Sequence, residues 1–349
     1  MTDTGRPVRL TGLATYVPDE RITGAEIAAE SGIPEDVVVE KMGVREKRVC
    51  PPDDDHVTDM CVTAGERALA DAGISPDDLD LVCFHGSEYK DHVVWSAAAN
   101  VTERLGADDA YAHESYTLCA GAPIAIRHTA AQLRIGDVDR ALLVAASREE
   151  DLVDYGNEDS SFMFNFGSGA SAVVLAAGGD DGPADETDAL ATVRASAAET
   201  DGSFSEDVVM PAGGSKHPPS ETTVREGLHT LDVPDPEGMK DRLADVSAPA
   251  FLSVADDALA DSGYDRADLD FVALTHMKRS FHDYLVGELG VDDGHYYLDE
   301  FGHVQSVDQA LALEAGLETD RLTSGDVVLL LAAGTGYTWS ATVLEWDGR

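Results

Sequence analysis

Five stretches of the chain are apolar almost without interruption: LDLVCF (79–84), ALLVAA (141–146), ASAVVLAA (170–177), LDFVAL (269–274) and DVVLLLAA (326–333). Runs of this length, bounded by Gly and Asp, suit strands covered on both faces by helices. Between them apolar residues recur at helical spacing, as in IAIRHTAAQL (124–133), and predict helices packed on the sheets. The pattern predicts an α/β fold.

The pattern also repeats. Residues 68–82, ALADAGISPDDLDLV, match residues 258–272, ALADSGYDRADLDFV, at nine of fifteen positions and an offset of 190. LRIGDVDRALLVAAS (133–147) resembles LTSGDVVLLLAAGTG (322–336), with its Gly-Asp pair at an offset of 189. Two blocks at nearly one offset argue for a duplicated unit. Each half then reads as a helix ending at Gly, a buried strand, a loop, a second helix and a second buried strand. The Gly/Asp-rich GGDDGPADETD (178–188) marks the boundary, giving halves of 1–178 and 179–349 that pack as one pseudo-twofold body.

The duplication aligns chemistry. The first repeated strand leads into HGSEYKD (85–91) and its mate into THMKRSF (275–281), so Glu88 and His276 follow corresponding strands. The loop before the next helix carries Cys119 in ESYTLCAGAP and His303 in FGHVQSVD. Strand ends and helix starts from two halves converge at a pseudo-twofold axis. A cysteine at a helix N-terminus meets free N–H groups and the positive end of the helix dipole, and both favour thiolate, the nucleophilic form. A histidine nearby assists further. His85, His92, His113, His128 and His282 read as ordinary surface or core residues.

Charge and composition narrow the setting. The chain has 67 acidic residues against 24 basic, a formal net charge of −43. Such a charge disfavours nucleic acid as a partner. It self-repels in dilute buffer and is tolerated where salt shortens the Debye length to about 3 Å at 1 M. That points to a protein adapted to a salty interior. No apolar run reaches the ~18 residues of a membrane span and the start has no apolar leader, so a cytoplasmic protein is expected. Cys50, Cys61, Cys83 and Cys119 match no metal-ligand spacing and are expected as free thiols.

Several segments together resemble the thiolase superfamily, and most closely its beta-ketoacyl-ACP synthase III branch, over nearly the whole length. ATYVPDERITGAEIA and KMGVREKRVCP resemble the family's opening segments. LCAGAP resembles its nucleophile segment, FNFGSGASAVVL its FGDGAGAVVL, VVMPAGGSKHP its PAGGS segment, and GDVVLLLAAGTGYTWSATVLEW its closing strands. The resemblance implies a thiolase-like fold, layered α-β-α-β-α. It implies an acyltransferase that makes a carbon–carbon bond by Claisen condensation of an acyl-Cys with a malonyl-type thioester. Cys119 falls on the acyl-accepting nucleophile and His276 on the family's histidine. His303 stands where that branch usually has Asn, and the backbone N–H groups of Cys119 and Thr335 fall on the oxyanion hole. No metal or redox cofactor is implied; the partners are acyl-CoA or acyl carrier protein, and a second copy of the chain in a homodimer. Lys41, Arg45, Lys278 and Arg279 are candidate guides for the carrier, with Val37 in place of the family's adenine-stacking Trp, and the scarcity of basic residues favours CoA. Glu88 in GSEYKD matches the general base of 3-hydroxy-3-methylglutaryl-CoA synthase, which makes a non-decarboxylating condensation the alternative. A non-catalytic partner subunit is the third reading.

Overall fold

The two repeated blocks fold alike. In the first, a helix over Val57–Ala72 stops at Gly73, whose φ of 68° caps it, and a strand follows over Leu81–Phe84. In the second, a helix ending at Ser262 stops at Gly263, with φ 85°, and a strand follows over Phe271–Leu274. Glycine adopts this left-handed cap without the penalty a Cβ carries, so the same sequence signal makes the same stop twice. The computed structural model describes residues 5–179, 182, 184 and 189–348, and most of the boundary segment 178–188 lies outside the described residues.

In chain order the strands are β1 (Val8–Tyr16), β2 (Arg21–Thr23), β3 (Glu46–Arg48), β4 (Leu81–Phe84), β5 (Tyr111–Glu114), β6 (Arg140–Ser147), β7 (Gly169–Ala177), β8 (Ala191–Thr200), β9 (Phe271–Leu274), β10 (Val327–Gly334) and β11 (Thr338–Trp346). The helices are α1 (Gly24–Ser31), α2 (Val57–Ala72), α3 (Ala97–Leu105), α4 (Gly121–Ile135), α5 (Glu221–Arg225), α6 (Pro236–Ser262), α7 (Arg279–Leu289) and α8 (Asp308–Glu318). Nine strands hydrogen-bond in the order β5-β4-β6-β7-β1-β8-β11-β10-β9, while β2 and β3 form a separate ribbon. The sheet is mixed: β4 is parallel to β5 and β6, β9 is parallel to β10, and the remaining neighbours are antiparallel. Among the described residues its two parts join through the pairing of Val8, Arg9 and Leu10 with Val193, Thr192 and Ala191.

Three apolar cores set the layers. One packs α2 and α3 against β4, β6 and β7; another packs α6 and α7 against β9, β10 and β11. Between them, α4 and α8 are held by strand residues from both parts of the sheet, including Leu81, Leu143, Phe271 and Leu330. The result is the expected α-β-α-β-α sandwich, with α4 and α8 as its central layer. Eight of eleven residues of α8 are buried, and so is the start of α4 from Gly121 to Ile126. The chemistry therefore lies at the entries to the two most enclosed helices.

Candidate active site

Each central helix is entered through a short 3-10 turn: Leu118–Ala120 before α4, and Gln305–Val307 before α8. The first residue of each turn is left-handed without being glycine, Leu118 at φ 50° and Gln305 at φ 56°. Such a conformation costs roughly 1–2 kcal/mol and persists only where the surroundings enforce it. The two turns pack against each other. A Cβ on Gly121 would lie 2.7 Å from the His85 carbonyl and 3.0 Å from Ser306 Cβ, so only glycine fits there. The Ser306 hydroxyl donates to the same His85 carbonyl at 2.9 Å.

This arrangement brings Cys119 to the second half. His303 Nε2 lies 3.0 Å from Cys119 Sγ, and the thiol donates to Gln305 Oε1 at 2.6 Å. On its other side, His303 Nδ1 is 2.6 Å from Asp308 Oδ2. Asp308 is fully buried and also accepts from the Val304 and His276 backbone N–H groups, both at 2.7 Å. The loop FNFGSG fixes the histidine's backbone: His303 N–H donates to Asn165, and Gly167 N–H donates to His303. The Phe166 ring packs edge-on against the imidazole, 5.3 Å between centroids.

The electrostatics separate the two histidines. Burial alone would lower the His303 pKa, but the Asp308 charge and its hydrogen bond, together with the Cys119 sulfur, hold it well above the usual histidine value. His276 is driven the other way, first by burial and then by the charges of His303, His282 and Arg279. Its ring lies against Tyr297, 4.8 Å between centroids, and among the described residues neither ring nitrogen has a hydrogen-bond partner. The structure thus joins Cys119 to His303 directly, and links His276 to them through its backbone N–H on Asp308.

A cavity of about 1010 Å³ opens onto Cys119, with Leu118, Phe166, Gln305 and Thr335 in its wall. Gly334, just before Thr335, permits the approach of β10 to the nucleophile: a Cβ there would lie 2.4 Å from the Thr117 carbonyl and 3.0 Å from Cys119 N. His92, read from the sequence as an ordinary surface residue, also lines the cavity. The other three cysteines are free and buried, and burial pushes Cys50 and Cys83 up to about 12 and Cys61 well above the usual thiol value. Cys119 alone among the four lines the cavity.

Glu88 also lines the cavity, but it is exposed, one residue beyond the buried segment 81–87. The burial that a raised carboxyl pKa requires belongs instead to Glu149, 8% exposed, with its pKa pushed up by burial. Sequence reasoning passed over Asp308, Gln305 and Glu149. Asp308 carried a usable signal, since it opens the helix that follows His303; Glu149 stands in a run of acids and carried none. Of the basic candidates, Arg45 pairs with Asp299 and Glu300, and Arg279 with Asp299 at 3.3 Å. Lys41 and Lys278 have no ion pair among the described residues. No group of His, Cys, Asp and Glu in metal-binding geometry occurs among the described residues, nor a helix long and apolar enough to cross a membrane.

Two family models match the chain. One, for 3-oxoacyl-[acyl-carrier-protein] synthase III, covers residues 115–192, and one for the C-terminal part of that synthase covers 259–346. The sequence is 28% identical over 344 residues to a beta-ketoacyl-[acyl-carrier-protein] synthase III of Desulfitobacterium hafniense, covering 98% of both chains. It is 26% identical to one of Chlamydia caviae, covering 97% of both. The fold matches the crystal structure of the Aquifex aeolicus 3-oxoacyl-[acyl-carrier-protein] synthase III with a TM-score of 0.81, at 20% identity, covering 97% of this chain and 100% of that one.

Proposed function

This chain belongs to the beta-ketoacyl-ACP synthase III-like condensing enzymes of the thiolase superfamily, acyltransferases that join acyl thioesters by Claisen condensation, and from that membership we propose that Cys119 carries the acyl group, with His303 and His276 as its partners. The observation that carries the reading is the line Asp308–His303–Cys119, buried at the end of a cavity. Reactions of this family need no cofactor beyond the thioesters.

In the first half-reaction His303 takes the proton of Cys119 as the sulfur attacks the thioester carbonyl. Asp308 fixes the imidazole's orientation and stabilises its charge. The tetrahedral oxyanion meets the N–H groups of Cys119 and Thr335. When the carrier leaves, its thiolate recovers a proton from His303. In the second half-reaction His303, which its raised pKa returns to the imidazolium by uptake of a solvent proton, and His276 donate hydrogen bonds to the carbonyl of the incoming thioester. Loss of carbon dioxide from its malonyl group leaves the enolate there, which attacks the acyl-Cys carbonyl, and the Cys119 thiolate departs. Burial that keeps His276 neutral suits this task, because a neutral imidazole offers one N–H without adding a charge. Gln305 contacts the sulfur throughout. Its amide accepts from the thiol, and its unpartnered Nε2 serves the thiolate when the side chain turns over.

The chain is composed of two duplicated halves, 1–178 and 179–349, and works as a cytoplasmic homodimer. Edge strand β5, with exposed Tyr111, supports a contact that extends the sheet into a second copy. CoA is preferred over the acyl carrier protein, because two of four candidate guiding cations are already paired and an acidic carrier protein meets a surface of like charge. Molar salt is the working condition, and we expect the melting temperature to climb steeply between low and molar KCl.

Intact-protein mass spectrometry after incubation with acyl-CoA tests the central claim. A covalent acyl adduct on the Cys119 peptide is expected, together with its loss in Cys119→Ala. Full condensation by Cys119→Ala refutes the assignment.

A further inference from the structure

The cavity that leads to Cys119 has a mixed lining, in which Leu118, Leu152, Phe166 and Val209 stand beside charged and polar side chains, and Glu149 is the one buried carboxyl among them. Glu149 follows β6 and is more than nine-tenths buried. The Ser87 hydroxyl donates to its Oε1, and Ser87 in turn accepts the Tyr89 N–H at 3.0 Å. No hydrogen bond or ion pair reaches Oε2 among the described residues. The cations in the same wall are engaged elsewhere. Arg148 turns away to Asp151 at 2.7 Å and to the carbonyls of Asp54 and Pro51, at 2.7 and 2.8 Å. Lys90 pairs with Glu114 at 2.6 Å. Burial raises the Glu149 pKa; the Ser87 hydrogen bond and the charge of His303 lower it, and Glu88 raises it.

The Glu149 side chain is buried but its Oε2 opens onto the cavity, so a ligand that covers this oxygen without bonding to it strands a polar group. Resting on the reading that Cys119 carries the acyl group, we infer that Glu149, held by Ser87, forms a subsite for a hydroxyl on that acyl group, so that the acyl donor is a hydroxyacyl thioester. A hydroxyl suits the place in either protonation state of the carboxyl, because it donates to a carboxylate and accepts from a carboxylic acid. A plain alkyl chain leaves Glu149 desolvated and unpaired. Sites built for a hydroxyl discriminate against the analogue that lacks it, since the polar group of the protein is then stranded.

The test measures the rate at which Cys119 becomes acylated, by quenched-flow mass spectrometry of the full chain in molar KCl, with butyryl-CoA and with 2-, 3- and 4-hydroxybutyryl-CoA. We expect at least one hydroxylated thioester to react roughly ten- to a hundredfold faster than butyryl-CoA, the range for one hydrogen bond to a charged group. In Glu149→Leu that ratio falls to about one, whereas Glu149→Gln, which keeps the shape and one acceptor, retains part of it. Butyryl-CoA itself should react as fast or faster with Glu149→Leu, which excludes misfolding as the cause of the lost preference. Equal rates for all four thioesters in the native chain, or an unchanged ratio in Glu149→Leu, overturn the subsite and leave the role of Cys119 standing. Failure of every thioester to acylate Cys119 overturns that role and the subsite with it.

Discussion

The entries to α4 and α8 are one device used for two purposes. Both pass through a 3-10 turn whose first residue is left-handed, and both deliver a helix into the central layer. Their fourth positions differ most. Gly121 opens α4 because the neighbouring turn leaves no room for a Cβ, whereas Asp308 opens α8 and gathers three hydrogen bonds, from Val304, His276 and His303. One entry is stripped to backbone so that the opposing turn and β10 can pack close around the sulfur. The other is filled with titratable groups that orient what acts on that sulfur. A duplicated fold therefore supplies two equivalent places, and the chemistry comes from their divergence.

The comparison breaks first at Asp308. Asp308→Asn keeps the shape but replaces an acceptor by an amide beside three donors. We expect Cys119 acylation to slow by about two to four orders of magnitude, as for a misoriented histidine in a hydrolytic triad. Single-turnover acylation monitored by mass reads this directly, and a loss of less than tenfold removes Asp308 from the mechanism.

The titratable load of the second half also predicts a pH response. Burial holds His282 at about 3 and His276 well below its ordinary value; in the first half His85 is held at about 4. Each has a folded pKa below the unfolded value of about 6.5, so its neutral form contributes stability that is present above that pH and lost as pH falls towards 4. Each weakens the fold by about 1.4 kcal/mol per pH unit within its own window. His303 has the opposite sign, contributing below about 6.5 and losing its contribution as pH rises through its raised folded value. The melting temperature in molar KCl should fall from pH 6.5 to pH 4, with a shallower slope in His282→Asn. Parallel slopes in the two proteins would remove His282 from the account.

The stripped entry is probed at Gly334. Its replacement by Ala places a methyl 2.4 Å from the Thr117 carbonyl and 3.0 Å from Cys119 N, so the turn must shift. We expect a loss of about 1–3 kcal/mol in denaturant unfolding, typical of overpacking, and a drop in acylation beyond it. Unchanged acylation shows that the position of Cys119 tolerates the shift.

Much of this contrast was legible in the sequence, for reasons that differ by residue. The α/β class followed from the near-continuous apolar runs and from Gly73 and Gly263, because burial on both faces and a left-handed cap each leave a local mark; the layering followed from the family resemblance. Cys119 and His303 were placed together by the repeat offset, which carries long-range information that composition lacks. Glu88 was singled out because its segment matched a motif, yet burial decides whether a carboxyl acts as a base, and burial depends on packing by β6 and the residues after it. Glu149 was hidden for the same reason: in a chain with 67 acids, the one turned inward looks like the rest. Gln305 gave no sign, because its left-handed backbone is imposed by the opposing turn.

Gln305 is also where the smallest effect lies. Gln305→Ala and Gln305→Gly both remove the amide from Cys119, so both should slow acylation by about tenfold, the value of one hydrogen bond at the reacting atom. They differ in backbone. Ala retains the left-handed strain, whereas Gly relieves it, so the Gly variant should be the more stable of the two by about 1 kcal/mol in denaturant unfolding. Leu118→Gly serves as the counterpart in the first half, where relief of strain is offset by the lost packing of the leucine in the cavity wall. If the two Gln305 variants have equal stability, the left-handed turn is intrinsic to neither entry, and the likeness between them reduces to the helices alone.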